Sequence, residues 1–191
     1  KNQLIDINDL QKIKLLINGN SFIVDNKSCS IFFENIIKSK FRITSREDPT
    51  YPLKAIKNKT EINNMINSHI LDGVALTKFI YWIKNSNKKN ITEVDAQIKL
   101  EQFRKKNKNY LYPSFDTIAG SGENGAIVHY RAKKGNCNFI KKNDIFLCDS
   151  GGQYKYGTTD VTRTLCFSKP KQNIKNIYTK VLKGHIAVAT T

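Results

Sequence analysis

Two aspartates are the first residues in this chain whose placement calls for chemistry. Asp149 follows directly on the apolar run Ile145-Phe146-Leu147-Cys148, and Asp160 comes eleven positions later among threonines. A lone carboxylate at the end of a buried strand is costly unless it is paired, hydrogen-bonded or metal-bound. The segment between them is rich in glycine and polar residues, as a hairpin connection is. A hairpin symmetric about Tyr154-Lys155 sets the two aspartates opposite each other, with Cβ atoms ~5 Å apart. Two bare carboxylates at that separation repel, and hard divalent cations relieve the repulsion. Paired metals lie ~3.5–4 Å apart, so a bridging carboxylate is natural. The structural alternative is a strand-end aspartate plus an Asx-turn aspartate with no ligand. Spacing alone leaves both readings open.

The elements that would position these residues can be read from periodicity. In the irregular first fifty residues, 21–24 and 30–33 read as short strands. The stretch 46–52 (REDPTYP) is a polar, proline-containing break, which sets domains of 1–50 and 51–191. A long helix follows, with Thr60 as N-cap and Glu61 in the first turn. Ile62, Met65, Ile66, Ile70, Val74, Phe79, Ile80 and Ile83 recur at helical spacing and read as its core face. After a polar stretch at 85–90, a second helix starts at Thr92, with Asp95 completing a variant capping box, and carries Ile98, Leu100 and Phe103. Residues 113–130 are glycine-rich and lose the 3.6 period. Residues 144–148 (DIFLC) and the threonine-rich 157–167 read as strands. Helical spacing returns from Asn173 and runs to Thr191 without a capping signal, as expected of a fragment.

Composition narrows the classes. The chain has 191 residues, 39% of them hydrophobic, and a formal charge of +16. Such charge suits nucleic acid or anionic lipid. Here, however, lysine far outnumbers arginine and is scattered, whereas a phosphate groove favours arginine with interleaved aromatics. Compositional bias is the preferred reading, and a nucleic-acid partner is not expected. Cys29, Cys137, Cys148 and Cys166 form no C-x-x-C pair, so structural zinc and a disulfide framework are not expected. No run reaches the ~18 apolar residues of a membrane span. The opening residues, 1–10, hold no apolar signal core and no initiator methionine. A reduced, cytoplasmic setting is the expectation.

Three stretches carry a family resemblance: 125–130 (GAIVHY), 147–154 (LCDSGGQY) and 157–164 (GTTDVTRT). With 54–62 (KAIKNKTEI) before them and 181–187 (VLKGHIA) after, they resemble the aminopeptidase P branch of the creatinase, prolidase and methionine aminopeptidase superfamily. The pairing of DSGGQY with GTTDVTRT at this spacing is the specific part. The resemblance implies an α/β pita-bread domain, present here as its first half. Residues 1–50 would be the end of a preceding non-catalytic domain.

The resemblance also implies a dinuclear centre of two divalent ions, manganese by preference, with zinc or cobalt as alternatives. Asp149 matches the aspartate that chelates one metal, and Asp160 the aspartate that bridges both. His129 matches a histidine that contacts substrate and stabilises the tetrahedral intermediate. His185 matches a family position that is not a ligand, and His69 reads as a packed or exposed helix residue. The family's remaining histidine and two glutamates have no counterpart in this chain. The implied reaction is removal of the first residue from peptides with proline second, through a metal-activated water. A homodimer is implied, and this segment alone is expected to be inactive. Two alternatives remain: a non-catalytic pita-bread module that binds protein or RNA, and a prolidase-type dipeptidase.

Overall fold

The computed structural model of the chain describes residues 6, 9, 12, 15, 18–86 and 90–191. Most of the opening segment read above as lacking a signal core lies outside the described residues, as do 87–89 of the polar stretch. The chain forms two compact units, Lys1–Asn58 and Lys59–Thr191.

In the first unit, strand β1 (Ser21–Val24) runs parallel to β2 (Arg42–Ser45), with helix α1 (Ile31–Lys38) between them in sequence. The strand expected at 30–33 is instead the start of α1. Ser30 is its N-cap, with its hydroxyl accepting from the Phe33 amide at 3.5 Å. A short apolar run does not by itself separate strand from helix, and the capping serine decides it. A short helix, α2 (Thr50–Ala55), overlaps the end of the expected polar break and runs past it, and the unit ends at Asn58.

The second unit opens with α3 (Lys59–Asn85), which begins one residue before Thr60 and so places Thr60 inside its first turn rather than at the cap. Its buried face is Ser68, Asp72, Ala75, Leu76, Phe79 and Ile83. The expected core stripe therefore holds at Phe79 and Ile83, with Ile80 partly buried against the same core. Ile62, Ile66, Ile70 and Val74 are exposed. The true inner face carries a serine and an aspartate, which an apolar count passes over. Helix α4 (Glu93–Arg104) starts as expected: the Thr92 hydroxyl accepts from the Asp95 amide, and Asp95 accepts from the Thr92 amide, which satisfies two otherwise orphaned donors. Leu100 is buried and Ile98 is exposed.

Two three-stranded sheets follow. In one, β4 (Ile118–Ser121), β5 (Ile145–Ser150) and β8 (Val161–Cys166) lie in the order β4-β5-β8. In the other, β3 (Tyr110–Pro113), β6 (Gly152–Tyr154) and β7 (Gly157–Thr158) lie in the order β3-β6-β7. All pairings in both are antiparallel. One long hairpin links the sheets. Its first arm is the central strand of both and its second arm an edge strand of both. The register is constant from Ile145 opposite Cys166 to Tyr154 opposite Gly157, around the turn Lys155-Tyr156. Leu76, Phe79 and Ile83 of α3 and Leu100 of α4 pack with Ala119, Phe146 and Leu165 of the first sheet into one core. The last helix, α5 (Gln172–Ala189), has no buried residue, so its apolar spacing does not face a core among the described residues. No helix of the described residues is long and apolar enough to cross a membrane.

Candidate metal centre

The hairpin register decides how the two aspartates meet. Asp149 pairs with Thr162, not with Asp160, and its other neighbour across the sheet is Ile118. The expected face-to-face arrangement is therefore two residues out along the partner strand. The hairpin turns at Lys155-Tyr156 rather than Tyr154-Lys155. Asp160 precedes Thr162 by two residues, so side-chain alternation returns it to the face that Asp149 occupies. The two carboxylates are diagonal neighbours, a separation of ~7–8 Å between Cα atoms and less between side chains. That still lets both reach a shared ion.

These aspartates line one cavity of about 390 Å³ together with Phe115, Asp116, Ile118, His129 and Arg131. All three residues singled out from the sequence, His129, Asp149 and Asp160, are thus brought to one place. Asp149 is half-buried and accepts a hydrogen bond from the Thr162 hydroxyl at 2.8 Å. Asp160 is exposed and has no hydrogen bond or ion pair among the described residues. His129 is exposed on the loop after a 3₁₀ turn (Gly122–Ala126), and its backbone is left-handed, with φ 54°. It is the described non-glycine residue with positive φ, a conformation that costs of order 1–3 kcal/mol and is held only where the surroundings over-determine it.

Two charged cavity residues were not singled out from the sequence, Asp116 and Arg131, which form an ion pair. No spacing rule links them, because they sit on separate loops. Thr162 was not singled out either, yet it is the donor to Asp149. His69 is away from this cavity, on α3, with its Nδ1 at 2.9 Å from the Met65 carbonyl oxygen. His185 is exposed on α5.

Behind the cavity the hairpin is anchored by a buried polar cluster. Arg104 and Asp72 are fully buried, and the guanidinium grips the carboxylate through Nε at 2.7 Å and Nη2 at 3.1 Å. Nη2 also donates to Ser150 Oγ at 3.0 Å, and the Tyr154 hydroxyl donates to Asp72 at 2.8 Å. The ends of β5 and β6 are thereby tied to α3 and α4 on either side of Gly151. Burial opposes the Arg104 charge, but the Asp72 carboxylate outweighs it and holds the guanidinium above its ordinary value. Burial, reinforced by Asp72, likewise pushes the Tyr154 phenol up. Burial pushes the Cys148 thiol up to about 12, which leaves an inert core thiol beside Asp149.

The donor set suits a divalent cation in kind. Carboxylates are hard oxygen donors, three of them line one cavity, and of these only Asp116 is paired with a cation among the described residues, which leaves Asp149 and Asp160. In number they fall short, since no group of three histidine, cysteine or carboxylate side chains is placed to hold a metal among the described residues. The residues present fit part of a metal centre.

Comparison with known proteins identifies the family. Residues 63–191 match the metallopeptidase family M24. A probable Xaa-Pro aminopeptidase P of Paracoccidioides brasiliensis (strain Pb18) is 49% identical over 152 residues, which cover 78% of this chain and 25% of that protein. One of Podospora anserina is 44% identical over 179 residues, 92% of this chain and 23% of that protein. This chain therefore spans about a quarter of the length of these relatives. Among solved structures, the X-prolyl aminopeptidase of Caenorhabditis elegans, a cytosolic enzyme with a di-nuclear active site, is 32% identical with a TM-score of 0.66 over 73% of this chain and 23% of its own. The prolidase of Pyrococcus horikoshii OT3 shares the fold, with a TM-score of 0.75 at 24% identity over 91% of this chain and 49% of its own. The α/β architecture is thus that of a partial pita-bread domain, and the resemblance to aminopeptidase P holds. This chain belongs to the metallopeptidase family M24.

Proposed function

We propose that this chain carries part of the catalytic centre of an Xaa-Pro aminopeptidase, which removes the first residue from peptides with proline at the second position. The observation that carries the reading is the meeting of Asp149, Asp160 and His129 at one cavity. Asp149 and Asp160 would hold the divalent ions, manganese by preference. The chemistry supplied by the bound ions is activation of a water for attack on the peptide carbonyl. Asp149 is held by the Thr162 hydroxyl in an orientation ready for an ion. His129 faces the same cavity and donates to the oxyanion as it develops. Two carboxylates supply fewer donors than a dinuclear centre needs, so the 191 residues alone are inactive in this proposal.

Homodimerisation and a cytosolic location complete the proposal, the latter supported by the cytosolic nematode enzyme. A prolidase activity is the second reading, favoured by the fold shared with the archaeal prolidase. A non-catalytic, RNA-binding module is favoured only by the charge of +16, and the two aspartates left free of cationic partners weigh against it.

The test is release of the first residue from an Xaa-Pro-Pro peptide by the protein isolated from its natural source, with manganese and then with chelator. Chelator-sensitive release, abolished by Asp160→Ala, is the expected result. Cleavage of Xaa-Pro dipeptides alone would favour the prolidase reading, and near wild-type turnover by Asp160→Ala would sink the assignment of Asp160.

A further inference from the structure

We propose that Glu93 is a positioning residue: acting through Tyr130, its buried carboxylate sets the backbone that presents His129 to the cavity. The proposal rests on the reading of His129 as a group that faces substrate.

Glu93 is the first residue of α4 and is fully buried. No cation pairs with it among the described residues. Its charge is met instead by neutral donors and by the N-terminus of its own helix. One carboxylate oxygen accepts from the Ser121 amide at 2.7 Å and from Asn124 Nδ2 at 3.1 Å. The other accepts from the Tyr130 hydroxyl at 2.8 Å, the Asn138 amide at 2.9 Å and Asn124 Nδ2 at 3.2 Å. Asn124 Nδ2 also lies 2.9 Å from the Tyr130 oxygen, which closes a triangle of three side chains. The donors come from the end of β4, the 3₁₀ turn, the loop after it and the segment leading to Ile140. One carboxylate therefore ties down four points of the segment that contains His129.

His129 sits at the strained point of this segment. The Ile127 amide donates to the Asn124 carbonyl, and the Tyr130 amide donates to the Ile127 carbonyl, each at 3.2 Å. Ile127 and Tyr130 are thus anchored, and the left-handed His129, with φ 54°, lies between them. Burial and the Glu93 carboxylate push the Tyr130 phenol up to about 12, as expected of a hydroxyl that stays a donor throughout the physiological range. A carboxylate that served core stability alone would not have to be coupled to the conformation of the one cavity histidine.

Three histidines make this measurable, because His69 and His185 lie on helices outside the segment. In Tyr130→Phe, which removes only the hydroxyl, the imidazole NMR signals of His129 shift while those of His69 and His185 stay in place. Glu93→Gln moves the same signals, and should that variant fail to fold, Tyr130→Phe carries the test. Unmoved His129 signals in Tyr130→Phe, or equal movement of all three histidines, would overturn the proposal. In the active protein the same substitution lowers kcat more than it changes KM. Absence of Xaa-Pro cleavage by the wild type overturns the functional reading alone, since the NMR comparison requires no turnover.

Discussion

Asp160 stands two positions ahead of Thr162, the residue that both pairs with Asp149 across the β5–β8 ladder and donates to its carboxylate at 2.8 Å. The three residues share one face of the hairpin, with Thr162 directly across the ladder from Asp149 and Asp160 next along the same strand side. The threonine fixes one carboxylate and leaves the other without a hydrogen bond among the described residues.

Thr162→Val tests that division of labour. The shape is kept and the donor is lost. Manganese affinity of the protein should fall by ~10–100-fold, the usual effect of removing a group that orients a ligand. Isothermal titration would show it. An affinity unchanged within error would mean that Asp149 is oriented by something other than Thr162.

Arg104→Met strands the Asp72 carboxylate in a dry site. Breaking a buried pair by removing one partner costs about 3–5 kcal/mol. The loss should appear as a lower denaturation midpoint in urea. The double variant Asp72→Asn, Arg104→Met regains part of it, because no uncompensated charge is left. A single variant as stable as wild type would show that the pair contributes little to holding the hairpin.

Gly151→Ala probes the bend where the hairpin passes from one sheet to the other. An added Cβ would lie 1.9 Å from the Thr159 carbonyl oxygen and 2.2 Å from Ser114 Oγ. Both are held in place, since Ser114 Oγ donates to the Thr159 carbonyl at 2.9 Å and the Ser114 amide donates to Gly151 at 3.2 Å. The cost is at least about 3 kcal/mol, the upper end of overpacking effects. Metal affinity should fall with it, because Asp149 and Asp160 flank the bend. A variant that loses less than about 1 kcal/mol would show that the bend has room to open.

Alkaline conditions should weaken the fold from about pH 10, where tyrosines in an unfolded chain lose their protons. Tyr110, Tyr130 and Tyr154 are each held above that value, by burial first and then by hydrogen bonds to Glu101, Glu93 and Asp72. The folded chain therefore keeps protons that the unfolded chain gives up. The stability these hydroxyls contribute is complete below about pH 10 and is lost as pH rises toward their folded values. Urea midpoints measured across this range should fall, and less steeply in Tyr130→Phe.

Some of this architecture was open to reading in one dimension. Thr92 and Asp95 mark a helix start by residue type and spacing, and the structure has the capping box there. The apolar run before Asp149 reads as a strand, and it is β5. The hairpin register was not readable, for a reason specific to its turn. Two-residue turns usually announce themselves by glycine or asparagine at positive φ. Neither Lys155 nor Tyr156 has positive φ, so nothing separated that pair from Tyr154-Lys155. The apolar stripe of α3 misled because its inner face includes Asp72, whose partner Arg104 lies 32 residues on. Glu93 was not singled out, because an acidic residue in a first helical turn is ordinary by type and place. Its link to Tyr130, 37 positions away, exists only once the sheet folds back on the helix.

The constant register of the hairpin has an engineering consequence. Adding or removing one residue anywhere along either arm would turn every side chain beyond it to the opposite face. One aspartate would then point away from the other. The tip at Lys155-Tyr156 is free of this rule, because a longer loop there leaves the ladder below it unchanged. It is the place on this hairpin where an affinity tag or a fluorescent reporter can be spliced in without disturbing either acid.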